Sequence, residues 1–258
     1  MSILTRQGSK GRIFDKILPY FPKHDIYMEP FFGAGGMFFN KPKAKFNFLN
    51  DNDDDVYNLF RQVIDNKDGL VKLLQMFPVT NTQFKGWARG KREKTDVLNA
   101  LRFLVLSNFS LYGDGSTLEL TLTNKKRRVL KNIDNAFLAL DSAYFTMFHF
   151  VDFFKNTVIY RNSDIKRSFI YANPPYLSTG NNYKSSFTKQ DSIDLFDVLE
   201  KTGIRFAMSE FDNDFILGQA SKRGLNVIRI CDRCNIKNRR TEILVTNYKI
   251  EQVELKLL

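Results

Sequence analysis

Ile26-Tyr27-Met28-Glu29-Pro30-Phe31-Phe32-Gly33-Ala34-Gly35-Gly36 is the stretch that decides the fold. Apolar and aromatic residues run into an acid, a proline and then a cluster of glycines. That order predicts a strand ending in a tight turn, where glycine lets the backbone bend and approach a ligand that a Cβ would repel. Phe46-Asn47-Phe48-Leu49 predicts a second strand, closed by Asn50-Asp51. Strand, glycine turn, helical stretch and strand together open a doubly wound α/β sheet. A carboxylate at the end of the second strand suits a ribose diol, so Asp51 joins Gly33 and Gly35 as a candidate nucleotide-binding residue. No Lys-Ser/Thr pair follows the glycines, which argues against a P-loop.

Working outward, residues 11–21 predict a short helix, with Ile13, Phe14, Ile17 and Leu18 on one face and Pro22 at its end. Beyond residue 54 the character changes. Residues 56–63, 70–77, 82–89 and 96–109 all show helical spacing. Gly113-Asp114-Gly115, set between the apolar runs 106–111 and 118–122, predicts a β-hairpin that leads into Lys125-Lys126-Arg127-Arg128. Strand–helix alternation then resumes. Strands are expected at 157–160, 168–172 and 205–209, helices at 189–201 and 214–223, and a closing β-pair at 225–230 with 242–248. The predicted organisation is a Rossmann-like α/β catalytic domain made of residues 1–53 and 151–258. A mainly helical insertion, 54–150, carries the hairpin.

Composition sets the class. Of 258 residues 43% are hydrophobic and 26% charged, which excludes a disordered chain. No apolar run approaches the roughly 20 residues that span a bilayer, and residues 1–10 lack a signal-peptide-like apolar segment. A cytoplasmic location is the default expectation. The formal charge of +11, from 39 Lys+Arg against 28 Asp+Glu, favours a polyanionic partner and equally suits an anionic membrane surface. Cys231 and Cys234 form a C-x-x-C, but the only histidines are the distant His24 and His149, so two reduced thiols are expected and no metal. The acidic run 51–55 fails as an EF-hand, because Val56 and Gln62 stand where Gly and Glu belong. It reads instead as a solvated helix start.

The sharpest chemical signal is Tyr171-Ala172-Asn173-Pro174-Pro175-Tyr176, which follows an apolar strand and therefore stands at the mouth of the sheet. Two prolines fix the backbone and remove two N–H donors, leaving nearby carbonyls free to accept. Asn173 adds an amide oxygen and Tyr176 a flat ring. The set offers acceptors for an amine and a π-face for a base.

With these motifs in order along most of its length, the chain resembles the Dam-like DNA adenine-N6 methyltransferase family, enzymes that use S-adenosylmethionine. Gly8-Ser9-Lys10 resembles the family's N-terminal element, 29–35 its cofactor loop and Leu49-Asn50-Asp51 its ribose-binding acid. The helical insert resembles its target-recognition domain, and residues 239–244 its closing segment. Asn173-Pro174-Pro175-Tyr176 resembles its catalytic motif, which usually opens with Asp where this chain has Asn.

The resemblance implies that Arg6, Gly8, Lys10, Glu29, Phe31, Phe32, Gly33, Gly35, Asp51 and Asn173 serve the cofactor, and that Asn173, Pro174, Pro175 and Tyr176 carry the chemistry. It implies double-stranded DNA as partner, with the target base flipped out of the helix. Asn108, Ser110 and Tyr112 are candidates for base edges, and Lys125, Lys126, Arg127, Arg128, Lys237 and Arg239 for phosphates. A cognate restriction endonuclease is a possible further partner, and a monomer or weak dimer is the expected state. Methylases of RNA adenine, cytosine N4 or protein glutamine share the motif and stand as alternatives, as does a catalytically silent DNA-binding protein of the same fold.

Overall fold

The computed structural model describes residues 2–6, 8–119, 122–157, 162–177, 187–234 and 239–249. Its elements in chain order begin with α1 (Phe14–Ile17), β1 (Ile26–Glu29) and β2 (Phe46–Asn50). Four helices follow: α2 (Asp54–Asp65), α3 (Lys67–Met76), α4 (Asn81–Ala88) and α5 (Asp96–Asn108). Then come α6 (Leu122–Leu140), β3 (Ala143–Thr146), α7 (Phe150–Asn156), α8 (Asn162–Lys166) and β4 (Ser168–Ala172). The chain continues with α9 (Lys189–Lys201), β5 (Arg205–Phe211), α10 (Asp214–Lys222), β6 (Asn226–Cys234) and β7 (Arg239–Thr246). The strands form one sheet in the order β3-β2-β1-β4-β5-β7-β6. Two compact units share the chain. One comprises Met1–Arg12, Phe32–Asn40 and Leu49–Met147; the other comprises Ile13–Phe31, Lys41–Phe48 and Phe148–Leu258.

The second unit holds the centre of the sheet. β1 and β4 are buried at every position, as strands covered on both faces must be, and this is why they read as continuous apolar runs. They pair in parallel, Ile26 beside Ser168 and Met28 beside Ile170, and β4 pairs in parallel with β5. β7 then runs antiparallel to both β5 and β6. Met28, Ile170, Phe206, Met208, Ile243 and Val245 from the strands pack with Leu195, Phe196 and Leu199 of α9. That helix starts on a reciprocal cap: Thr188 Oγ1 accepts the Asp191 N–H, and the Asp191 carboxylate accepts the Thr188 N–H.

Helices dominate the first unit. Asp53 caps α2 by accepting the Asp55 N–H at 3.1 Å, and Thr95 caps α5 by accepting that of Leu98. The acidic run is consumed by arginines. Arg6 holds Asp53, Arg92 bridges Asp54 and Asp55, and buried Arg102 grips both oxygens of buried Asp55 at 2.9 and 2.8 Å. Trp87 is buried, stacked on Phe77, and donates its indole N–H to Glu93 at 2.7 Å.

Three expectations need correction. The helix over 11–21 is broken into short turns, Lys10–Arg12, α1 and Leu18–Tyr20, because Pro19 cannot donate to a continuous helix. The hairpin is present among the described residues as a short one, with Ser110 bridged antiparallel to Leu118 and the N–H groups of Leu111 and Glu119 donating to the Thr117 and Phe109 carbonyls, but the basic quartet 125–128 lies in α6 instead. Val129, Ile133, Ala136 and Leu140, spaced for one helix face and all buried, explain that helix. β3, within the stretch expected to be helical, is a strand whose Phe145 stacks on Tyr57. Of the strand expected at 157–160, residues 158–160 lie outside the described residues. Among the described residues no helix is long and apolar enough to cross a membrane.

Arg102 gives a direct stability test. Arg102→Ala removes the buried partner that holds both oxygens of the buried Asp55 carboxylate and leaves the more exposed Arg92 pair in place. Loss of one partner of such a pair costs about 3 kcal/mol. The expected result is a matching fall in the urea-unfolding free energy, with an unchanged slope.

Candidate active site

In the second unit the parallel strands β1, β4 and β5 end at the same edge, and β7 begins there. Glu29 closes β1 one residue past Met28; Tyr171 and Ala172 close β4 past Ile170; Glu242 pairs with Phe211 at the end of β5. The sheet order reverses between β1 and β4, and the crevice outside the carboxyl ends of strands at such a switch point is where open α/β sheets bind ligands. Asn173-Pro174-Pro175-Tyr176 leaves β4 into that edge. Pro174 is buried and the other three are half-buried. The Asn173 Oδ1 is buried and accepts no hydrogen bond from any described residue. A buried acceptor without a donor costs about 1–3 kcal/mol, which sets Asn173 apart from the satisfied polar groups of this corner.

The rest of the corner is tightly held. Buried Glu210 accepts the Leu177 N–H at 3.2 Å and the Phe211 N–H at 2.8 Å. The Tyr176 hydroxyl donates to fully buried Glu242, whose other oxygen meets Arg233 at 3.4 Å. Phe211 packs edge-on against the Tyr176 ring, with centroids 4.7 Å apart, and Arg240 lies over Phe211. Tyr171 shares a hydrogen bond with Ser209 at 2.8 Å. Burial, reinforced by the charge of Glu242, holds the Tyr176 phenol well above its ordinary range, so it remains a donor. At the end of β1, Glu29 is buried and accepts from Tyr27 at 2.8 Å, while Phe31 packs on Phe150 and Phe187. Lys41 lies 3.9 Å over the Tyr27 ring, and burial pulls its ammonium down to about 8.

The other candidate cofactor residues belong to the first unit. Gly33 donates its N–H to Asp51 Oδ2 at 2.6 Å, Asp53 donates to Asp51 Oδ1 at 2.9 Å, and Phe32 donates to the Asn50 carbonyl. The glycine turn is thus tied to the end of β2 through the very carboxylate the sequence singles out. Burial pushes the Asp51 carboxyl up, while the two N–H groups and Arg6 pull it down. Gly35 has φ +64°, and a Cβ there would stand 2.4 Å from the Phe39 ring, so only glycine fits. At Gly36 a Cβ would come within 2.8 Å of the backbone nitrogens of Lys10 and Gly11, which places the Gly8–Lys10 element against the turn. Lys10 is buried. Arg6 is committed to Asp53 at 2.8 Å and lies over Phe103. Phe32 is a core side chain, edge-on to Phe60 and Phe145.

The proposed DNA contacts divide. Asn108 and Ser110 are buried and used internally: Asn108 donates to the Ile3 carbonyl and accepts from Thr5, and Ser110 donates to the Leu106 carbonyl. They shape the loop rather than face outward. Tyr112 lies in the turn Leu111–Gly113. Lys125 pairs with Glu119, and Lys126 donates to the carbonyls of Gln75 and Phe77. Arg127 and Arg128 are exposed on α6. Lys237 lies outside the described residues, and Arg239 opens β7. Sequence reasoning missed the structural part of Glu210 and Glu242. Each acid borders an apolar run, Phe-Ala-Met-Ser-Glu and Glu-Ile-Leu-Val, a pattern that does not say what the acid meets.

Comparisons with known proteins bear on this arrangement. The modification methylase StsI of Streptococcus sanguinis is 26% identical over 302 aligned residues, covering 98% of this chain but only 44% of that protein. The type II methyltransferase M1.LlaDCHI of Lactococcus lactis subsp. cremoris is 24% identical, with 93% of each chain covered. Among solved structures, the rRNA methyltransferase aviRa of Streptomyces viridochromogenes aligns over 91% of this chain and 82% of its own, at 11% identity and a TM-score of 0.38. The family model described as D12 class N6 adenine-specific DNA methyltransferase matches residues 7–253, nearly the whole length, and the chain belongs to that family.

Proposed function

We propose that this chain transfers a methyl group from S-adenosylmethionine to the N6 amine of adenine at specific sites in double-stranded DNA, after extruding the base from the duplex. The observation that carries this reading is the buried Asn173 Oδ1, without a partner among the described residues, in a corner whose two prolines have no N–H to fill it. Family membership supplies the reaction class.

The first unit fits the donor. Asp51, fixed by two backbone N–H groups, retains lone pairs for ribose hydroxyls, and the glycine turn bonded to it presents backbone rather than side chain. Lys10 and Gly8 are assigned to the same ligand. The sulfonium supplies an already activated methyl group. The work left to the protein is positioning and electrostatics. Asn173 Oδ1 and the Pro174 carbonyl accept the two N6 hydrogens and draw the amine's lone pair out of the ring plane. Neither has to act as a strong base. Tyr176 stacks on the extruded base, recovering about 1–3 kcal/mol of the cost of unstacking it.

Residues 54–150 are assigned to DNA recognition. Exposed Arg127 and Arg128 on α6 hold phosphates, while Lys125 and Lys126 brace the helix.

Two experiments test this. Asn173→Ala is expected to bind the cofactor with near-native affinity while single-turnover methyl transfer to DNA falls about 100-fold; near-native transfer refutes the assigned role. Replacing both Arg127 and Arg128 with alanine is expected to weaken DNA binding across sequences and to reduce the slope of log K against log salt by about 2. An unchanged slope in a salt titration places the phosphate contacts elsewhere.

A further inference from the structure

The corner around Tyr176 is held from behind by groups on the next two strands of the sheet. Glu242 takes the Tyr176 hydroxyl, Phe211 meets the ring edge-on, and Glu210 takes the backbone N–H of the following residue, Leu177. Both glutamates are at most 1% exposed. An ionised carboxylate at such depth is costly unless its lone pairs are taken up. Glu242 is supported by Arg233 at 3.4 Å as well as by Tyr176. A phenylalanine at 176 would pack in the same space, so burial of the ring alone does not require a hydroxyl or a buried acid. The acid–hydroxyl pair fixes the ring's direction.

We infer that Glu242 is a positioning residue for methyl transfer: through the Tyr176 hydroxyl it sets the ring plane on which the target base stacks, with Arg233 balancing its charge. The inference rests on the proposed function and deepens it. Glu242 touches no reacting atom in this scheme; it acts only through Tyr176. Burial and the charge of Glu242 raise the pKa of the Tyr176 phenol, which favours the hydroxyl as the donor of the pair.

The test uses the full-length protein, S-adenosylmethionine carrying a labelled methyl group, and duplex DNA containing methylatable sites. Glu242→Gln and Tyr176→Phe, which preserve shape, are each expected to lower single-turnover transfer about 10-fold or more, with unchanged cofactor affinity. Because both cut the same link, the double variant is expected to be no slower than the worse single one. Multiplying defects, or Glu242→Gln at the native rate, overturn the inference while leaving the methylase reading intact. Proton NMR gives a readout independent of turnover: a slowly exchanging downfield hydroxyl resonance is expected in the native protein and absent from both variants. Its absence from the native protein also overturns the inference. A native protein that shows this resonance but methylates no DNA refutes the function itself, and the positioning role with it.

Discussion

The parallel pairing of β1 with β4 is the constraint on which the rest depends. Residues 26–28 and 168–170 are remote in sequence, yet their register brings the acid that ends one strand level with the corner that leaves the other. Both strands are buried on each face, so a slip of one residue would turn every side chain over and place Tyr27 and Tyr171 against the wrong neighbours. The Tyr171–Ser209 hydrogen bond ties β4 to its other neighbour β5, while Tyr27–Glu29 is made within β1 itself. Apolar packing on both faces therefore holds the β1–β4 register, and the buried polar pairs are satisfied around it. The switch point between these strands then opens a crevice without any residue being devoted to making one.

A second consequence concerns the placing of unsatisfied polarity. The corner gathers Tyr171, Tyr176, Ser209, Glu210 and Glu242 in an environment where an unpaired polar group is expensive. Each of these has a partner: phenols pair with a serine or an acid, and an acid pairs with backbone N–H groups. Among the described residues none donates to Asn173 Oδ1, and the two prolines that follow it carry no N–H that could. The satisfied groups around the tyrosines and glutamates thus contrast with this one acceptor of the same corner.

Local pattern made much of this legible. The glycine turn, the Asn-Pro-Pro-Tyr corner, β4 and α9 are each encoded within about ten residues, where periodicity and backbone chemistry speak directly. β3 was hidden because Ala143-Tyr144-Phe145-Thr146 is short and follows a long helical stretch, and its half-buried pattern carries no turn signal of its own. The α6 helix was masked by four consecutive cations at its start, whereas its apolar spacing begins only at Val129. The parts played by Glu210 and Glu242 were illegible for a different reason. Glu210 reaches the corner because β5 pairs beside β4, and Glu242 because β7 inserts antiparallel beside β5; such neighbour relations are properties of topology rather than of spacing.

Charge shows the same gap between what a sequence contains and what a surface offers. The formal excess of +11 counts every cation equally. Arg6, Arg92 and Arg102 are absorbed by the acids that open α2, where the carboxylates of Asp53, Asp54 and Asp55 lie within 4.8 Å of one another. Within the quartet on α6, Lys125 and Lys126 turn back to a glutamate and to two carbonyls, leaving Arg127 and Arg128 exposed. The lysines stiffen the base of the helix and the arginines stand out from it. Pairing inside the fold thus removes particular cations from the formal count, and Arg127 and Arg128 are among those it leaves at the surface.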